Sequence, residues 1–134
     1  MKNFKFIFFF FFFFFLHFSQ TNVNSAKEAQ KLFAIASDNF YNLNNKESIK
    51  QAEKILTYSL KKQNFELAAK TYNLLGLNFE QFTDYNKAIL YYKKGIECAK
   101  KANNSDILGW LYNNIGGVYS YNGIDLNKGT YYFK

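Results

Sequence analysis

The sequence predicts an all-α fold of antiparallel helix pairs, and three observations point to it. From Ala26 onward apolar residues recur with helical spacing. Short polar breaks interrupt that pattern, and one stretch recurs about forty residues later. Proline is absent and only seven glycines occur, so residues that punctuate sheet-rich folds are scarce. Seventeen Phe and eleven Tyr supply enough apolar surface to offset the entropy of ordering the chain.

Residues 1–19 read as an address. Lys2 and Lys5 precede an apolar run from Phe6 to Leu16 that contains eight consecutive phenylalanines. Its length suits the roughly 7–15 residues of a signal-peptide core and falls short of the roughly 18 needed to span a bilayer. Ser19 supplies the small residue for a cut before Gln20, but His17 is a poor third-last residue. A cleaved signal peptide and an uncleaved membrane anchor are both compatible with this pattern. Either places the remainder outside the cytoplasm, exported and periplasmic or tethered; a low-complexity accident is the third reading.

Residues 20–134 form the expected helical domain. Helices are predicted at about 26–43, 47–62, 66–82, 85–101 and 107–121, with a sixth begun after Asp125. Polar residues mark the breaks: Asn44-Asn45, Gln63-Asn64, Thr83-Asp84, Asn103-Asn104-Ser105 and Asn122-Gly123. Asp84 and Asp106 suit N-caps, because a carboxylate there can accept from free first-turn amides.

Internal repetition organises these helices. Tyr72-Asn73-Leu74-Leu75-Gly76-Leu77-Asn78-Phe79 recurs as Tyr112-Asn113-Asn114-Ile115-Gly116-Gly117-Val118-Tyr119. Asp84-Tyr85-Asn86-Lys87-Ala88 recurs as Asp125-Leu126-Asn127-Lys128-Gly129, with one extra loop residue in the second copy. The repeats are then about 26–65 (degenerate), 66–105, and 106–134 (cut short). Tyr72, Leu75, Gly76 and Phe79 share one helical stripe, and Ala88, Tyr92 and Ile96 form the stripe expected to face it.

These positions resemble the tetratricopeptide repeat, whose pattern is an aromatic, Leu-Gly, a second aromatic, then Ala and a third aromatic. Tyr72, Leu75, Gly76, Phe79, Ala88 and Tyr92 occupy them in one copy. Tyr112, Ile115, Gly116, Tyr119, Gly129 and Phe133 do so in the next. The usual proline is missing and the period is longer than the family's ~34, as in longer-period, exported bacterial members. The resemblance implies a right-handed superhelical array of antiparallel helix pairs, an α-solenoid.

It also implies a function: holding a protein or peptide in a concave groove lined by the first helix of each pair. The groove positions would be Lys70, Asn73, Leu77, Glu80 and Gln81, then Trp110, Asn113, Gly117, Ser120 and Tyr121. Asparagine offers both donor and acceptor to an extended backbone, and Trp110 is either the best single anchor in the groove or a residue packed against the preceding repeat. The lysine–asparagine clamp that some members use on acidic carboxyl-terminal tails is absent, since the corresponding pairs are Asn73/Leu77 and Asn113/Gly117.

Other classes find little support. All seventeen basic residues are lysine, with no arginine fork to read bases, and they alternate with carboxylates, so no nucleic-acid partner is expected. The single histidine lies in the leader and Cys98 stands alone, so no catalytic residue, metal site or cofactor is expected. The sequence stops nine residues past Asp125, inside the expected sixth helix. Further repeats or a downstream domain are therefore expected, and the alternative function is the sensory amino-terminal segment of a longer bacterial signalling protein (a sensor kinase or transcription regulator).

Overall fold

A computed structural model describes residues 22–122 and 125–133, so the proposed leader lies outside the described residues. Six helices follow one another with no strand among the described residues: α1 (Ala26–Tyr41), α2 (Asn45–Lys61), α3 (Phe65–Gln81), α4 (Tyr85–Ala102), α5 (Ser105–Tyr121) and α6 (Leu126–Tyr132). Each packs on the next in sequence, an all-helical arrangement compatible with an α-solenoid.

The turns explain the regularity. Leu43, Gln63, Thr83 and Asn103 all have positive φ and fall twenty residues apart. At each, the next amide reaches back to the carbonyl at the start of the last helical turn (Asn44 to Asn39, Asn64 to Ser59, Asp84 to Phe79, Asn104 to Ala99). The positive-φ residue itself bonds three residues back. This is the Schellman closure, usually built on glycine. Asn64, Asp84 and Asn104 then cap the following helix, their side-chain oxygens accepting from Leu67, Lys87 and Ile107 amides. One residue ends a helix and the next starts another, which folds neighbours antiparallel.

Two expected starts shift for this reason. The fifth helix is capped by Asn104, and Asp106 sits exposed in its first turn. The second begins at Asn45 and not Glu47, because the Asn45 side chain is buried against α3.

The predicted facing stripes meet. Leu75, Ala88 and Tyr92 are fully buried between α3 and α4, with Tyr72 and Ile96 nearly so. A Cβ on Gly76 would run into the Tyr92 ring, and one on Gly116 would come within 3.0 Å of Phe133, the matching residue of the next repeat. Tyr91 stacks on both Tyr72 and Phe79, and Tyr132 on Tyr119 beside Tyr112. Lys87 lies over Phe79 as Lys128 lies over Tyr119. The sequence repeat is thus a repeat of contacts.

The degenerate first copy keeps the architecture with different chemistry. Where the later repeats pair Phe79 with Tyr91 and Tyr119 with Tyr132, the first pairs Asn39 with Gln51 through an amide hydrogen bond of 3.0 Å. At the boundary between α2 and α3, the buried Asn78 amide bonds the Ser48 hydroxyl and accepts from Asn45, whose amide also donates to Gln81. The corresponding positions one repeat later, Val118 and Ala88, are apolar and buried.

Candidate functional site

The two helical layers stack differently. Helix α1 approaches α3, and α3 approaches α5, whereas no comparable approach joins α2 to α4 or α4 to α6 among the described residues. The odd-numbered helices therefore form the closer-spaced side. The Asn114 side-chain amide donates to Asn73 Oδ1 at 2.8 Å and ties α5 to α3 on this side.

At the carboxyl-terminal ends of the odd helices lies an open cleft of ≈ 250 Å³. Phe40 of α1, Leu77, Glu80 and Gln81 of α3, Tyr85 at the start of α4, and Asn122 after α5 line it. Schellman turns end α1 and α3 beside this cleft, and Asn122, just past α5, completes its lining. Three residues of the expected groove, Leu77, Glu80 and Gln81, thus stand together.

The other expected positions divide. Trp110, Asn113 and Tyr121 lie on the solvent side of α5, with Trp110 56% and Tyr121 87% exposed. Gly117 lies between them, and the nearest group a Cβ there would meet is the Tyr121 ring at 3.6 Å. Lys70 is half-buried and paired with Glu66 at 2.6 Å, and Asn73 is occupied by Asn114. Ser120 faces α6: its hydroxyl stands where a Cβ on Gly129 would be.

Glu80 serves two faces. Its Oε2 accepts from the Tyr92 hydroxyl at 2.6 Å, while the side chain also borders the cleft. Burial, and then the bond to Glu80, pushes the Tyr92 phenol well above its ordinary range, so it stays a donor and fixes the carboxylate. The Cys98 thiol is buried and its pKa raised chiefly by that burial, which keeps it an inert thiol at neutral pH.

Sequence reasoning missed Phe40, Tyr85 and Asn122. The signal was present, since Phe40 precedes the first break, Tyr85 follows the third and Asn122 opens the fifth, but it needed the twenty-residue turn spacing to align them.

A second cleft, ≈ 390 Å³, opens between α4 and α6 on the even-helix side, where Leu90, Lys93, Lys100, Tyr112 and Tyr131 are among its lining residues. Among the described residues no three metal-ligating side chains cluster, and no helix is long and apolar enough to cross a membrane. No protein-family model matches this chain, and no curated protein or solved structure is significantly similar to it.

Proposed function

We propose that this chain is an exported repeat scaffold of tetratricopeptide type, which holds an extended segment of another protein along its odd-numbered helices and catalyses no reaction. In this reading the helix pairs wind into a right-handed superhelix with α1, α3 and α5 on the inner face. The supporting observation is the asymmetry of the stack: odd helices approach one another while even helices do not, and one cleft spans all three odd helix ends. A side chain from an extended segment fits the ≈ 250 Å³ cleft, while exposed Trp110, Asn113 and Tyr121 supply an aromatic anchor and amide partners farther along α5. The leader, as a signal peptide or anchor, would deliver this face to the outside of the cytoplasm.

The test is selection of peptides from a displayed random library on the full chain, followed by affinity measurement on variants. Large aromatics dominate interface energetics, so Trp110→Ala should weaken the selected peptides about tenfold or more. Selected peptides that bind Trp110→Ala and Leu77→Arg as tightly as the unsubstituted chain would show that the odd face is not the binding face.

A further inference from the structure

The proposed groove carries a charge opposite to that of the molecule. The chain has a formal net charge of +7, yet helices α1, α3 and α5 carry three lysines against five carboxylates. Helices α2, α4 and α6 carry ten lysines against three. The odd-layer lysines (Lys27, Lys31 and Lys70) all stand in the first halves of their helices, and Lys70 is held by Glu66. The second halves contain Asp38 and Glu80 and no cation.

The helix ends reinforce this. Each carboxyl terminus presents the equivalent of roughly half a negative charge. Lys61 answers it in the last turn of α2, and Lys100 and Lys101 in that of α4. The last turns of α1, α3 and α5 have no basic residue, and these three ends meet at the cleft together with the amino-terminal end of α4, whose opposite dipole offsets one of them. Lys87, at the start of α4, is engaged by Asp84 at 3.2 Å and lies over the Phe79 ring. At physiological salt the screening length is about 8 Å, less than the roughly 10 Å width of one helix. The lysines in the later turns of the even helices are therefore largely screened from the cleft, whereas Lys46 and Lys87, at the starts of α2 and α4, stand at its own end.

We infer that the odd-face cleft takes a basic peptide segment, with a lysine or arginine side chain seated against Glu80 and the rings of Phe40 and Tyr85. This rests on the odd face being the binding face. Tyr92 holds Glu80 through Oε2 and leaves Oε1 to an incoming donor. The two rings offer faces on which a cation is further stabilised.

The experiment uses the full chain in non-ionic detergent and two labelled peptides, one alternating lysine with alanine and one alternating glutamate with alanine, read by fluorescence anisotropy. The lysine peptide should bind and the glutamate peptide should not. Glu80→Gln, which retains an acceptor for Tyr92, should weaken the lysine peptide roughly five- to tenfold. Lys93→Glu, on the opposite layer, should leave it unchanged. Equal binding of both peptides, or preference for glutamate, with Trp110→Ala still weakening them, would overturn the basic-segment inference and leave the groove standing. Lysine-peptide binding indifferent to both Glu80→Gln and Trp110→Ala would overturn both. No binding of either peptide would overturn the inference alone, since the library selection tests the groove separately.

Discussion

A threonine held at φ 58°, as Thr83 is, brings its Cβ against the following carbonyl at a cost of roughly 1–2 kcal/mol. Asn103 sits at φ 52° in the equivalent turn, but asparagine tolerates the left-handed region. Thr83→Gly should therefore stabilise the protein by about 0.5–1 kcal/mol after the added entropy of the unfolded chain, and Asn103→Gly by much less. Thermal melts of the two variants check the ranking, and an equal or larger gain at Asn103 would contradict it. Asn78 makes the opposite case. Its replacement by valine, the residue at the matching position 118, leaves Asn45 and Ser48 short of partners and should cost about 1–3 kcal/mol. Adding Ser48→Ala, to match Ala88, should recover part of the loss in a denaturant titration. The aromatic and glycine positions of the later repeats were legible because each is a distinctive residue at fixed spacing. Asn39 and Gln51 were not, because an amide pair in place of stacked rings leaves no apolar period to read.

At the scale of the element, the unit from α1 to α4 is a helix of about seventeen residues closed by a Schellman turn and followed by an Asn or Asp at the next N-cap. Helix number and order were legible from the 3.6-residue period, but two starts were not. A run such as Asn103-Asn104-Ser105-Asp106 offers several capping side chains, and only the backbone bond of the preceding turn chooses Asn104. The chemistry of the cap has a pH consequence. Asp84 and Asp125 cap α4 and α6, and their carboxyl pKa values are lowered, first by backbone hydrogen bonds from Lys87 and Lys128. A carboxyl whose pKa is lowered by folding stabilises above its unfolded value, about 3.9, and that contribution is lost as pH falls through the folded value. Helices α3 and α5 are capped by asparagine, whose side chain does not titrate. In an acid titration followed by circular dichroism, Asp84→Asn with Asp125→Asn should blunt the loss of helicity below about pH 4. An unchanged acid profile would mean that the caps do not contribute to acid sensitivity.

For the whole molecule, the expectation of stacked helix pairs was legible because local propensity, turn chemistry and the repeat all agree. Which layer is closely spaced was not, since it depends on small offsets between neighbouring pairs that no single residue encodes. The separation of charge between layers was written in the chain, yet it emerges only once helices are sorted into odd and even. With that sorting, Leu77, Trp110 and Tyr121 belong to the proposed binding face, and Leu90 and Tyr131 to the opposite cleft. Hydroxyl-radical footprinting of the full chain, with and without a peptide selected on it, tests most directly whether the odd helices are the binding face. Leu77, Trp110 and Tyr121 should lose reactivity in the complex while Leu90 and Tyr131 keep theirs. Protection of Leu90 and Tyr131, with Trp110 and Tyr121 still reactive, would place binding on the even helices and contradict the proposed odd-face binding.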